Sequence, residues 1–230
     1  PKDLSYFLEM EASRRMLSHD QIYNVMKIFK ENDENFIASE YVNGMDLYEK
    51  LDTLTDQQII SLLCQVMMMI NFIHNANISH NDLHLRNIRV QDTLETFLEY
   101  DVGGRIYRLP TFGVKAVIID FGLATIIYPS GKFKVASEIY CGDSFLRLDV
   151  RYDMFRFLGA FVGSIALKFK TGRFPCMKMI KFIYDAITGP QKVNTKLYFT
   201  LSWMIPKEFK QYLWRTYRFE AELHLNFLIT

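Results

Sequence analysis

Cysteine is scarce in this 230-residue chain: three residues, Cys64, Cys141 and Cys176, stand far apart with no CxxC spacing. An odd, scattered set argues against a closed disulfide framework and makes a reducing interior the natural setting. Excess charge of one sign is also missing. Lys and Arg number 27 against 26 Asp and Glu, a formal net charge of +1, so nothing drives the whole chain toward nucleic acid or a membrane surface. Uninterrupted apolar runs are absent too. Ile59 to Ile73 is broken by Gln65 and Asn71, and Met154 to Phe169 by Arg156 and Lys168, which predicts buried helices rather than bilayer spans. There is no internal repeat, no low-complexity tract, no Walker A motif and no HExxH, which leaves solenoids, P-loop enzymes and zinc proteases without support. Position 1 is Pro, with no initiator Met or leader before it; this predicts a fragment whose natural chain continues upstream. Apolar residues make up 50% and aromatics 15%, enough for one full core and a small second lobe.

Apolar residues at Leu4, Phe7, Leu8, Ala12 and Met16 have the spacing of an amphipathic helix over Leu4 to Leu17. Tyr23 to Phe29 and Asn35 to Tyr41 are β-branched and aromatic, parted by the polar turn Lys30 to Asp33, and read as a hairpin. Thr55 with Gln58 forms a capping-box pattern that opens a helix ending near Asn75. Its Met67-Met68-Met69 cluster is expected to pack in the core. Short strands are predicted at Ile88 to Val90, Thr96 to Tyr100, Arg105 to Leu109 and Ala116 to Ile119, punctuated by Gly103-Gly104 and Pro110. Residues 122–150 show no period and read as a long functional loop. Helical patterns return at Met154 to Phe169, Met177 to Ile187 and Lys207 to Tyr217. The class is therefore α+β.

Chemistry concentrates in Ser79-His80-Asn81-Asp82-Leu83-His84-Leu85-Arg86-Asn87, followed 33 residues after Asn87 by Asp120-Phe121-Gly122 at the end of an apolar strand. Two carboxylates and an amide at loop ends suit phosphoryl transfer from a magnesium nucleotide. Oxygen ligands suit Mg²⁺, so Asn87 and Asp120 are the candidate metal ligands. Asp82 stands five residues before Asn87, where it can orient a hydroxyl and take its proton. Asp and Asn are common at turns for ordinary reasons; the order and joint occurrence of both motifs after a capped helix set this pair apart.

These residues resemble the protein kinase family. His80-Asn81-Asp82-Leu83-His84-x-x-Asn87 stands where that family has H-R-D-L-K-x-x-N, and Asp120-Phe121-Gly122-Leu123-Ala124 matches its D-F-G segment. The resemblance implies a bilobal fold, seen here as a partial small lobe over 1–42 and a helical large lobe over 43–230. It implies ATP and Mg²⁺ as cofactors and a protein Ser or Thr hydroxyl as acceptor. Glu40-Tyr41-Val42-Asn43-Gly44-Met45-Asp46-Leu47 looks like the hinge, with Glu40 and Val42 holding adenine through their backbone, Asp46 near the ribose and Ser39 a small gatekeeper. Asp153 resembles the buried aspartate that anchors the catalytic-loop backbone. Within the family the nearest look is haspin and the haspin-like serine/threonine kinases, including those of large DNA viruses. The grounds are His84, the insert ending in Leu109-Pro110-Thr111-Phe112-Gly113-Val114, and Asp149-x-x-x-Asp153-x-Phe155-Arg156. The resemblance covers roughly residues 5 to 170.

Departures carry equal weight. Neither G-x-G-x-x-G nor V-A-I-K occurs, so the glycine-rich loop and the lysine that anchors the nucleotide are missing from this sequence. Asn81 replaces the arginine that clamps a phosphorylated loop, which predicts activity independent of such phosphorylation. His84 replaces a lysine and carries full charge only below its pKa, near 6.5 when unperturbed; a catalytic contact to phosphate and a structural bond within the loop are both open. His80 is expected to support the metal loop, and His19, His74 and His224 to be ordinary loop or surface residues. The glutamate that faces the nucleotide lysine is Glu9 or Glu11, with Glu9 ranked first. The expected partner is a protein substrate, with no direct nucleic-acid binding, no membrane and a monomeric chain inside the cell, cytoplasmic or nuclear, an infected host cell or a virion included. The rival readings are a non-catalytic pseudokinase and a small-molecule phosphotransferase of the aminoglycoside or choline kinase type.

Overall fold

The computed structural model describes residues 2–16, 19–32, 34–130, 133–135 and 150–168. Helix α1 spans Lys2–Met16 and buries Leu8, Ala12 and Met16 completely, the i, i+4, i+8 row that its apolar spacing predicts. Strands β1 (Val25–Glu31) and β2 (Glu34–Ser39) form the expected antiparallel hairpin, with a bulge between Val25 and Lys27. Val25 N–H donates to Ser13 Oγ at 2.8 Å, fastening the hairpin to α1.

The chain then reaches β3 (Met45–Asp46), which runs directly into the short helix α2 (Leu47–Lys50). Gly44 precedes this junction with φ +128°, and a Cβ there would meet the carbonyl oxygen of Val90 at 2.3 Å. Only glycine lets the two backbones approach so closely.

Helix α3 spans Asp56–Asn75, and both halves of the Thr55/Gln58 capping box are formed. By length and composition alone α3 meets the requirement for a bilayer span, which the interruptions at Gln65 and Asn71 had argued against. In this fold its apolar stripe, from Ile59 through Leu62, Val66, Met69 and Ile73, is buried. Of the methionine cluster, Met69 is fully buried, and Met67 and Met68 are half-buried. Gln65 is fully buried and uses all four of its hydrogen-bonding positions. Its Oε1 accepts from Ala116 N at 2.8 Å and from Gln21 Nε2 at 3.2 Å; its Nε2 donates to Val114 O at 3.0 Å and Ser61 Oγ at 2.9 Å.

Beyond α3 come β4 (Ile78–Ser79), β5 (Ile88–Asp92), β6 (Phe97–Val102), β7 (Arg105–Pro110) and β8 (Val114–Ile118). The antiparallel sheet β3-β5-β8 forms one layer and β6-β7 a separate hairpin. Gly103 and Gly104 close that hairpin, both at positive φ, as the two-residue turn matching strand twist requires. Strands β9 (Thr125–Ile127) and β10 (Phe133–Val135) form a second sheet in the order β10-β9-β4. They fall inside the stretch read from sequence as a loop; three-residue strands are too short to show a period of two, and β9 pairs with the distant strand β4, Ile78 opposite Ile126.

Helix α4 spans Val150–Lys168, four residues longer at its start than its apolar pattern indicated. The helices expected at Met177 to Ile187 and Lys207 to Tyr217 lie outside the described residues. The chain divides into two compact units, Pro1–Met154 and Phe155–Thr230. The division falls at 154 rather than at the expected lobe boundary after residue 42. Elements on either side of residue 42 belong to one unit because the chain after α1 is stitched to β8: Ile118 N donates to Gln21 O at 2.8 Å and Tyr23 N to Ile118 O at 3.1 Å.

Candidate active site

Asp153, in the first turn of α4, is 1% exposed. Its Oδ2 accepts from His80 N at 2.7 Å, Ser79 Oγ at 3.0 Å and His74 Nε2 at 3.0 Å, and its Oδ1 accepts from Asn81 N at 2.7 Å. Burial pushes this carboxyl up, but the hydrogen bond from His74 and those from the His80 and Asn81 backbone outweigh it and hold it below the usual carboxylate range. One buried anion thus holds three consecutive residues, the Ser79 hydroxyl and the backbone of His80 and Asn81, the last at φ +64°. His74 was expected to be an ordinary loop or surface residue. Its partner lies 79 positions away, so no local spacing could reveal it.

The turn that follows carries the candidate catalytic groups. His84 N donates to Asp82 O at 3.0 Å and Asn87 N to His84 O at 2.9 Å. Asn87 then joins both loops: its Nδ2 donates to Asp82 O at 3.0 Å, and its carbonyl accepts from Ile119 N at 3.0 Å. With the amide nitrogen committed, Asn87 offers its Oδ1 as an acceptor. His84 Nε2 lies 3.6 Å from Asp82 Oδ2, an ion pair when the imidazole is protonated rather than a hydrogen bond. His80 is fully buried. Its Nε2 reaches Ile119 O at 3.0 Å, its Nδ1 accepts from Asp82 N at 3.3 Å, and its ring lies 4.7 Å from that of buried Phe121. A carbonyl on one side and an N–H on the other assign the proton to Nε2. His80 is a brace between the two loops.

Asp120 is exposed and adopts φ +67°, a conformation that Asp tolerates better than most residues. Its Oδ1 accepts from Gly122 N at 3.2 Å. Across from it stands Glu9 of α1, 6% exposed, which accepts from the Tyr23 hydroxyl at 3.1 Å. Burial pushes Glu9 up to about 7; the Phe121 backbone works against the rise and the Asp120 charge adds to it. Tyr23 itself is pushed well above the ordinary phenol, first by burial and then by Glu9, and also reaches Ser39. Glu11 faces elsewhere. Arg14 and Arg15 each donate to it at 2.9 Å, and Arg14 above all holds its carboxyl below the usual range against the effect of burial. The rotation of α1 therefore turns Glu9 toward Asp120 and Glu11 toward Arg14 and Arg15.

On the far side Glu40 is exposed and Val42 half-buried, and Tyr41 between them is 87% exposed. Glu40 N donates to Asn24 O at 3.0 Å and its carboxylate accepts from Asn24 Nδ2 at 3.0 Å. Asp46 is buried, and its Oδ1 caps α2 by accepting from Glu49 N at 2.9 Å. Its Oδ2 lies 3.9 Å from Arg86 Nη1, beside Asn87. The structure thus gathers Asp82, His84, Asn87, Asp120 and Glu9 around two tied loops, with Glu40, Val42 and Asp46 along the exit of the hairpin.

Among the described residues, no group of three or more His, Cys, Asp or Glu side chains is arranged to hold a metal ion by itself. One carboxylate and one amide oxygen is nonetheless the donor set that magnesium accepts when phosphate and water complete its shell, and Asp120 with the free end of Asn87 fits it.

A family model described as the protein kinase domain matches residues 2–214. The chain belongs to the protein kinase family. Ser79 to Asn87 resemble the kinase catalytic loop and Asp120-Phe121-Gly122 its metal-binding loop. Among similar proteins are the serine/threonine-protein kinase cds1 of Schizosaccharomyces pombe, 29% identical over 131 residues, covering 56% of this chain and 24% of that protein, and the mitogen-activated protein kinase pmk-2 of Caenorhabditis elegans, 31% identical over 117 residues, covering 48% and 27%. The matched part spans about a quarter of the length of these relatives. A solved structure of the Rad53 kinase domain and SCD2 in complex with AMPPNP is 24% identical, covering 50% of this chain and 39% of that one, with a TM-score of 0.38.

Proposed function

We propose that this kinase domain transfers the γ-phosphate of ATP to a serine or threonine hydroxyl of a protein. The observation that carries the reading is Asn87, which binds the Asp82 carbonyl through its side chain and Ile119, the neighbour of Asp120, through its backbone. The residue types that phosphoryl transfer uses are thereby held in one constellation. Asp82 orients the acceptor hydroxyl and takes its proton. Asn87 and Asp120 hold Mg²⁺, which when bound neutralises the phosphate charge that develops during transfer. The Glu40 and Val42 backbone receives adenine, and Asp46 contacts the ribose with the oxygen left over from capping α2. His84, whose Nε2 lies 3.6 Å from Asp82 Oδ2, supplies a hydrogen bond to the transferred group. The sequence features that set His84 and the long β6-β7 insert apart support a place among the haspin-like serine/threonine kinases, working on a protein substrate inside the cell.

A non-catalytic reading draws on one observation: Glu9 faces Asp120, whose charge adds to the rise that burial gives the Glu9 carboxyl, an arrangement unfavourable to an anionic Glu9 with no cation beside it. One assay separates the readings. In the full-length protein, Mg²⁺-dependent transfer of labelled γ-phosphate is measured on basic proteins, histones and small alcohols, beside Asp82→Asn. Transfer to protein that falls by roughly 10²-fold or more in the variant is the expected result. Transfer to small alcohols alone favours the small-molecule class, and neither binding nor transfer favours the pseudokinase.

A further inference from the structure

Helix α1 reaches the segment after Asp120 at two points. Glu9, at its middle, faces Asp120 and Phe121. Arg15, six positions later, donates from Nη1 to Ile127 O at 2.8 Å and to Ala76 O at 3.4 Å. Its Nε donates to Glu11 Oε1 at 2.9 Å, and its guanidinium lies over the Tyr128 ring, 4.8 Å from the centroid. Four contacts from three parts of the chain meet on one planar fork, a geometry that a lysine ammonium does not reproduce. The Arg15 side chain is 16% exposed, so these bonds are shielded from the screening that weakens surface ion pairs. Ala76 is the C-cap of α3, where unpaired carbonyls favour a cation. Ile127 is the last residue of β9, and its own N–H donates to Asn77 O at 2.9 Å, so the carbonyls that Arg15 grips are themselves fixed.

We propose that Arg15 is a positioning residue that locks the rotation of α1 against β9 and the end of α3, and so keeps Glu9 opposite the metal loop without any phosphorylated residue. A one-residue turn of an α-helix is about 100°, which would bring Leu8 or Met10 to the place Glu9 holds. The Arg15 fork opposes that turn. Asn81 holds the same segment nearer its start, donating from Nδ2 to Leu123 O at 2.9 Å and to Thr125 Oγ1 at 2.8 Å. The segment from Phe121 to Ile127 is therefore held at Leu123, Thr125 and Ile127, where uncharged carbonyls and a hydroxyl meet Asn81 and Arg15. The functional meaning of this lock rests on the phosphotransfer reading; its structural content does not.

The test is amide hydrogen exchange on the full chain, comparing wild type with Arg15→Gln, Arg15→Lys and Glu11→Gln. In Arg15→Gln, amides of residues 121–127 and of α1 exchange at least about tenfold faster, as expected for losing a charge-assisted bond. Arg15→Lys is intermediate, and Glu11→Gln, which leaves the guanidinium but loosens its aim, gives a smaller change in the same place. The core amides of α3 keep their protection throughout. Where wild type transfers phosphate, Arg15→Gln lowers kcat and leaves KM for ATP unchanged, since Arg15 touches none of the hinge residues. Unchanged protection at 121–127 in Arg15→Gln overturns the proposal, as does loss spread equally over α3 in Arg15→Gln and Glu11→Gln alike. Absence of phosphate transfer by wild type would instead sink the phosphotransfer reading and leave the exchange result to stand by itself.

Discussion

Asp153 and Glu9 are both buried carboxylates within a few residues' reach of the two kinase loops, yet their surroundings move them in opposite directions. Around Asp153 four donors converge, two of them backbone N–H groups, and the carboxyl is held ionised despite burial. Around Glu9 there is the Tyr23 hydroxyl, the Phe121 backbone and a neighbouring carboxylate, and burial wins. The half of the site that carries Asp82 and Asn87 is thus satisfied from within the chain. The half built on α1 has a carboxyl that becomes comfortable as an anion when a cation enters beside it.

The largest expected effect comes from breaking the satisfied half. Asp153→Asn keeps the shape but turns an N–H₂ toward at least one of the four donors and removes the charge that they serve. It is expected to cost roughly 3 kcal/mol or more, about 6–12 °C in Tm for a chain of this size, read by thermal unfolding. A variant as stable as wild type would mean that the anchor is dispensable. The sign of its pH dependence follows from the lowered carboxyl: the stabilisation is present above the unfolded value of 3.8 and is lost as pH falls through the still lower folded value.

Glu9 behaves oppositely. Its folded carboxyl titrates near 7 against 4.5 when free, so the stability of its buried neutral form is complete below about 4.5 and is lost as pH rises through about 7. In metal-free buffer, wild type should lose on the order of 3 kcal/mol between pH 4.5 and pH 8 from this group, whereas Glu9→Gln stays flat in that window. Urea midpoints across the range test it; parallel curves for the two proteins would erase the contrast between the two carboxylates. The hinge responds least. Asn24→Ala removes an exposed bond to Glu40 together with a buried amide oxygen that has no hydrogen-bond partner, so its stability should stay within about 0.5 kcal/mol of wild type.

Much of the fold was legible because it is local. The capping box of Thr55 and Gln58, the apolar row of α1 and the strand pieces on either side of Gly103-Gly104 each follow from spacings within a dozen residues, and all appear where those spacings put them. The site was legible in part for the same reason: Asp82, His84 and Asn87 lie in one short turn, and the family's motif names Asp120. Strands β4, β9 and β10 were not legible, since two or three residues carry no period, and β4 pairs with β9 far along the chain. Nor were His74, whose bond crosses 79 positions, or Tyr23, which meets Glu9 across 14.

The choice between Glu9 and Glu11 marks where sequence stops and tertiary structure takes over. Both sit on one helix whose existence follows from local apolar spacing. Which of them faces Asp120 depends on the rotation of α1, and that is set by contacts to Val25, Ile127 and Ala76 that no neighbouring residue encodes. By itself the sequence determined which candidate side chains stand in the two loops and in which order. Only the packed chain decided which buried carboxylate is surrounded by donors and which is turned toward another negative charge, because desolvation and hydrogen bonding act through space between residues that the sequence keeps far apart.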